Sequence, residues 1–185
     1  MTPTRTKVII INGVQESGKD SFVRLAESYC NMNESANVLN LSSVDPIKDV
    51  LEGFGWDGNK TEEVRDIIAG IKKIWIGAQN GPTMFMMNNI LAFHAANIEE
   101  DNIIFCHIRE PEEIDKLVRA ISGMQTMGIE IMTMFIVRGD NIPASERSSD
   151  NSEFISKYPY DRIIYNDSDL PALDEKVCEF INELF

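Results

Sequence analysis

The chain has 185 residues, of which 43% are apolar and 25% charged, and this fits one ordinary globular domain with a substantial core. A formal net charge of −13 argues against general nucleic-acid or anionic-membrane binding, which needs a basic surface. It permits a small anionic ligand, provided that the few basic residues converge on one cleft.

The elements follow from hydrophobic periodicity. Lys7 to Asn12 (KVIIIN) is a short, β-branched, continuous apolar run, as expected of a strand buried on both faces. From Lys19 a helical pattern begins, with Phe22, Leu25, Ala26 and Tyr29 on one side, and Asn31 to Asn37 reads as polar loop. Val38 to Leu41 is a second strand, and Asp45-Pro46 opens a helix because Pro suits a first helical position. Gly53 to Asn59 is a glycine-rich break before a helix that starts at Thr61. Val64, Ile67, Ile68, Ile71 and Trp75 form the apolar stripe of that helix, with Lys72 and Lys73 near its end.

After Gly81-Pro82 a helix rich in methionine and alanine runs to about Asn97; its Met84, Met86 and Met87 read as flexible core filling. Asn102 to His107 (NIIFCH) is a third strand. Pro111 begins a helix with Ile114, Leu117, Val118 and Ile121 on one face and Gly123 as its cap. Ile129 to Val137 is a fourth strand, Arg138 to Pro159 a polar segment, Asp161 to Tyr165 a fifth strand, and Leu170 to Leu184 a closing helix.

Strands alternating with helices predict an α/β domain spanning 1–185, a three-layer fold with a five-stranded parallel sheet covered on both faces. No repeat or interdomain linker interrupts it. Cys30, Cys106 and Cys178 are odd in number and far apart, so they read as reduced core thiols. No apolar run approaches the ~20 residues of a membrane span. The run Val8 to Ile11 is too short for a signal peptide, which predicts a cytoplasmic protein.

The segment from Gly13 to Ser21 (GVQESGKDS) almost spells the phosphate-binding loop G-x-x-x-x-G-K-[ST]. Gly13 and Gly18 allow the backbone to curl so that N–H groups point at a phosphate. Glu16 and Ser17 fill the curl, and Lys19 adds a full charge at the head of the next helix. The segment sits between a buried strand and an amphipathic helix, the context the pattern requires. Asp20 stands where a Mg²⁺-binding hydroxyl is usual. It either reaches the metal through water or turns aside toward the positive helix end, and in both cases Ser21 is left for a phosphate oxygen.

In S-G-K-D-[ST] the chain resembles P-loop nucleoside monophosphate kinases, the bacteriophage-type deoxynucleoside monophosphate kinases in particular, and more distantly the P-loop phosphomevalonate kinases. "VDPIKDVLEGFG" (44 to 55), "IIFCHIREPEEI" (103 to 114) and "YDRIIYNDSDLPAL" (160 to 173) are similar to segments of that family in matching order. The resemblance implies a P-loop kinase fold, ATP as phosphate donor with Mg²⁺, and a nucleotide substrate held by a monomer or homodimer. It also implies an acceptor-binding helical region over about 45–98 and a lid over about 138–158.

Phosphoryl transfer needs positioning and charge neutralisation, so basic side chains should collect at the cleft. Lys19 serves the donor's β and γ oxygens. Arg109, past the third strand, clamps the acceptor phosphate or is a surface arginine paired with Glu112 or Glu113. Arg138 and Arg147 lie in the lid segment and close over the phosphates or are merely solvated. Arg65 and Lys48 are acceptor contacts or helix-surface charges. Asp45 holds Mg²⁺ through water, orients the acceptor, or caps its helix. Asn166 and Asp167 end the fifth strand, where the resemblance places the donor base, although both also favour turns.

Two departures stand out. His107 occupies the place of the family's aspartate, and Asp150-Asn151-Ser152-Glu153 lacks the histidine often found before Ser-Glu. Either change opens the alternatives of another phosphorylated metabolite as acceptor, or of a nucleotide-binding protein without turnover. A GTPase is poorly supported: "NKTE" at Asn59 to Glu62 falls far too early to read guanine, and no D-x-x-G follows the third strand.

Overall fold

In the computed structural model, which describes residues 5–78, 80–138 and 158–185, the five apolar runs form one parallel sheet. The strands are β1 (Thr6–Gly13), β2 (Asn37–Ser42), β3 (Asn102–His107), β4 (Ile129–Val137) and β5 (Arg162–Tyr165). Their spatial order is β2-β3-β1-β4-β5. Six helices are described: α1 (Lys19–Asn33), α2 (Asp45–Gly53), α3 (Glu62–Gly77), α4 (Gly81–Ala96), α5 (Pro111–Ser122) and α6 (Leu170–Leu184). None of the described helices is long and apolar enough to cross a membrane.

Side chains alternate across β1, so that Ile9 and Ile11 face one layer while Val8 and Ile10 face the other. The first layer is α1 and α6, through Phe22, Val23, Ala26 and Cys30 and through Leu173, Val177, Phe180 and Ile181. The second is α4 and α5, through Met86, Met87 and Ile90 and through Ile114, Leu117 and Ile121. Because β1 and β3 are buried on both faces, they read as continuous apolar runs in the sequence, whereas the edge strand β5 keeps Ile163 and Tyr165 exposed. Cys30 and Cys106 are buried free thiols, as expected, and Cys178 is a half-buried one.

With β3 on one side of β1 and β4 on the other, the connections leave the central strands in opposite directions. Such a switch opens a crevice outside the carboxyl ends of the strands. The register fixes what meets there: Ile11 pairs with His107, Ser42 with His107, and Gly13 with Ile136.

Local expectations change in three helices. Helix α1 continues through Asn33 into the predicted loop and stops at Glu34, which is left-handed with φ 48°. Gly123 is the C-cap of α5, as expected, although its right-handed conformation, φ −74°, does not require glycine. The largest change is in α3. Ile67 and Ile71 of its predicted stripe are exposed, as is Ile74, and the buried residue is Lys72. The helix packs beside α2 and α4, with Trp75 against Phe85 and Gly81, and these neighbours offer no continuous apolar layer for a full stripe. Met84 is likewise exposed, whereas Met86 and Met87 are core residues as expected.

Phe22 sits edge-on to both Phe105 and Phe180, with ring centroids 6.4 and 5.6 Å away. It therefore ties α1 to the sheet and to α6. Phe22→Ala should cost about 3–5 kcal/mol of folding stability, read as a lower urea midpoint at an unchanged slope.

Candidate active site

The glycine loop leaves β1 and curls back to start α1. A Cβ on Gly13 would lie 2.6 Å from the Ile136 carbonyl oxygen and 2.6 Å from Ser17 Oγ. A Cβ on Gly18 would lie 2.3 Å from Asn166 Nδ2, and Gly18 also holds φ +95°. Both glycines are therefore required by close approach. Ser17 N–H closes a turn onto the Val14 carbonyl at 3.2 Å, and Glu16 is left-handed with φ 60°. The first bond of α1 runs from Phe22 N–H to the Gly18 carbonyl at 2.9 Å, which leaves the amides before it outside the helical ladder.

Two buried asparagines hold this curl. Asn12 Oδ1 accepts from Gly13 N–H at 2.8 Å, while its Nδ2 donates to the Tyr160 hydroxyl at 2.9 Å and the Arg109 carbonyl at 3.3 Å. Asn166 Nδ2 donates to the Ser17 carbonyl at 2.9 Å, and its backbone N–H bonds the Val137 carbonyl. Asn166 thus fixes the loop from behind, and Asp167 beside it is exposed. Burial pushes the Tyr160 phenol up to about 12, so it stays protonated. Nothing in the local sequence marked Asn12 or Tyr160; Asn12 adjoins the loop in the chain, and the pairing of β5 with β4 and of β4 with β1 brings Tyr160 to it.

Lys19 folds over its own loop, with Nζ donating to the carbonyls of Gly13 and Val14 at 3.0 and 3.2 Å. The ammonium thus lies on the concave side of the curl, where a phosphate would replace those carbonyls. Ser17 Oγ is buried without a hydrogen-bond partner. A curled backbone, a lysine across it and an orphaned hydroxyl inside it fit a polyphosphate.

On the first turn of α1, Asp20 is exposed, and Ser21 Oγ accepts from Arg24 Nη2 at 3.4 Å. Asp45 is engaged elsewhere: Oδ2 accepts from Ser42 N–H at 2.6 Å and Oδ1 from Lys48 Nζ at 2.7 Å. It does not cap α2, whose N-cap is Val44, and it and Lys48 neutralise each other. Among the described residues no group of three His, Cys, Asp or Glu stands ready for a metal. Ser21 and Asp20 are the oxygen-bearing side chains on this first turn, and hard oxygens of this kind are the donors that Mg²⁺ takes.

The cleft's other cations come from separate elements. Arg109 follows β3 and Arg138 follows β4, both exposed. Arg65, on α3, donates through Nη1 to Gln15 Oε1 of the loop at 3.2 Å. Lys72, two turns further along α3, donates to Ser43 Oγ at 2.8 Å and to Glu110 Oε2 at 2.5 Å. Arg147 and nearly all of the expected lid, 139–157, lie outside the described residues. Lys72, Ser43 and Glu110 were not foreseen as site residues. The usable signal was the spacing of Arg65 and Lys72, since i and i+7 share one helix face.

His107 is half-buried at the end of β3, among Lys19, Asp20, Asp45 and Lys48. Burial dominates and pushes its imidazole down from 6.5 to about 4; the two carboxylates pull upward and the two lysines downward. The ring is therefore neutral at pH 7 and adds no charge where phosphates would gather.

No protein-family model matches the sequence, and no curated protein matches it. Solved structures do. A protein designated APE1195 aligns with a TM-score of 0.50 at 11% identity, over 100% of this chain and 98% of that one. Mycobacterium tuberculosis APS kinase in complex with AMPPNP and APS gives 0.49 at 16% identity, over 98% and 99% of the two chains. Ehrlichia chaffeensis thymidylate kinase gives 0.46 at 12%, over 96% and 99%. At such identities the likeness concerns the path of the chain alone. Strand order and glycine loop agree with it. The fold is the P-loop NTPase fold.

Two measurements check the site. Gly18→Ala should cost about 1–3 kcal/mol, because it combines a left-handed backbone with a clash on Asn166. For His107, the folded value lies below the unfolded one, so its contribution to stability is complete above pH 6.5 and is lost as pH falls toward 4. His107→Gln should flatten the stability–pH curve in that window, and NMR should show the native imidazole neutral through pH 5.5.

Proposed function

We propose that the protein transfers the γ-phosphoryl group of ATP to a nucleoside monophosphate, a deoxynucleoside monophosphate in the first instance, giving the diphosphate. The observation that carries this reading is the curled loop with Lys19 across it, with Arg65 of α3 on the loop and Lys72 and Arg109 at the same carboxyl edge of the sheet. A donor grip and further cations for a second anion are what a phosphate-to-phosphate transfer requires. The resemblance of the segments at 44 to 55 and 103 to 114 to deoxynucleotide kinases supports the choice of acceptor.

In this reading Lys19 leaves the carbonyls of Gly13 and Val14 for the donor's β and γ oxygens, and Ser17 Oγ–H gains the partner it lacks. Ser21 and Asp20 would hold a Mg²⁺ brought in with ATP, which would supply charge neutralisation on the phosphate oxygens. Asp45 stays with Ser42 and Lys48, so its role is to shape the turn after β2. An acceptor phosphate oxygen attacks the γ phosphorus in line. The new O–P bond forms as the bond to the β–γ bridging oxygen breaks, and ADP leaves with that electron pair. A monophosphate dianion carries no proton on the attacking oxygen, so no general base is needed. Arg109 and Arg65 hold the acceptor, and Arg138, with Arg147 on the segment beyond, neutralises the transferring group.

ATP with Mg²⁺ should raise the melting temperature of the wild-type protein, and Lys19→Ala should abolish that rise. Arg109→Ala should leave ATP stabilisation intact while lowering kcat/KM for the acceptor by about 10²–10³. A panel of nucleoside monophosphates and other phosphorylated metabolites identifies the acceptor. ATP stabilisation with no product from any of them would remove the kinase reading and leave a nucleotide-binding protein.

A further inference from the structure

Helix α3 is attached to the sheet through a cation. Lys72 is 5% exposed, whereas Ile67, Ile71 and Ile74 of the same helix face solvent. Its ammonium donates to Ser43 Oγ at 2.8 Å and Glu110 Oε2 at 2.5 Å. Ser43 follows β2, and its N–H bonds the His107 carbonyl at 3.1 Å; Glu110 follows Arg109 beyond β3. The cluster therefore lies at the carboxyl edge of the sheet, between the ends of β2 and β3. Arg65 lies on the same face of α3, about 10 Å along the axis, where it touches the phosphate loop.

A buried ammonium requires a counter-anion. Here the two partners are unequal: the Lys72 side chain is 7% exposed and that of Glu110 is 42%. The cation is walled in, while the anion sits at the rim and can turn to water. Glu110 also occupies the N-cap position of α5 without making a capping bond, so its carboxylate serves Lys72 rather than its own helix.

We propose that Lys72 and Ser43 form an anion subsite that the Glu110 carboxylate fills in the empty protein, and that a phosphate monoester displaces it. The identification of that monoester with the kinase acceptor rests on the function proposed above; the subsite itself rests on these three side chains. A tetrahedral dianion presents oxygens to the Lys72 ammonium and the Ser43 hydroxyl at once, and it compensates the buried charge more fully than one carboxylate does. Glu110 moves to solvent, where its charge costs little. Lys72 thereby becomes a substrate-binding residue, and Glu110 a competitor that sets the affinity.

The test uses inorganic phosphate as the probe, in full-length protein carrying Lys19→Ala to silence the donor loop, at constant ionic strength with chloride as control. Phosphate should bind saturably, seen by calorimetry and as a rise in melting temperature. Adding Glu110→Gln keeps the shape but removes the competing charge, and should tighten binding about tenfold. Adding Lys72→Met should weaken binding at least tenfold. Glu110 is partly exposed, so its variant carries the test even if Lys72→Met fails to fold. Absence of phosphate binding in the Lys19→Ala protein, an unchanged or weaker affinity in Glu110→Gln, or full affinity in a folded Lys72→Met would each overturn the proposal. No product from any monophosphate with the wild-type protein, together with tighter phosphate binding on adding Glu110→Gln to the Lys19→Ala protein, would sink the kinase reading and leave the subsite standing.

Discussion

The contact of Asn166 with the back of the glycine loop is the constraint on which the site depends. Its side-chain amide holds the Ser17 carbonyl at 2.9 Å, in a space that any side chain on Gly18 would fill. Asn12 does the same from the other end through the Gly13 amide. An unpaired buried amide costs free energy, so two asparagines satisfied by the loop stabilise one backbone path over its alternatives. The curl is thus set before any ligand arrives, and an entering phosphate need not organise it.

The electrostatics follow from the same geometry. An overall charge of −13 would repel a nucleotide if it were spread evenly. Instead Lys19, Arg65, Lys72, Arg109 and Arg138 come from four segments to the carboxyl edge of one sheet, Arg65 and Lys72 sharing α3, and Lys48 is held there by Asp45. His107, kept neutral by burial, stands among them without adding to or cancelling their charge. The result is a gathering of cations at one sheet edge of an acidic protein, with Lys72 and Lys48 paired to Glu110 and Asp45.

Helix α3 shows how tertiary context overrides a periodic pattern. Its isoleucines at 67, 71 and 74 lie on one face, and a reader of the sequence would turn that face inward. The helix instead spans the cleft edge between α2 and α4, and its attachment to the sheet edge is polar, through Lys72. An ion pair with one half-exposed partner holds less firmly than an apolar seam.

The sequence by itself determined the order and type of the elements and the place of the phosphate loop. Strands buried on both faces must be short continuous apolar runs, and a loop that brings backbone against backbone must place glycine at the contacts, as Gly13 and Gly18 do. These are local requirements, so they are written locally. Which strands are neighbours, which face of α3 is buried, that Asp45 spends both oxygens on Ser42 and Lys48, that Asn12 meets Tyr160 and that Lys72 meets Ser43 and Glu110 emerge only in the folded chain. Each of these depends on the partner a polar group meets across the sheet, and a residue's own segment carries no record of that partner.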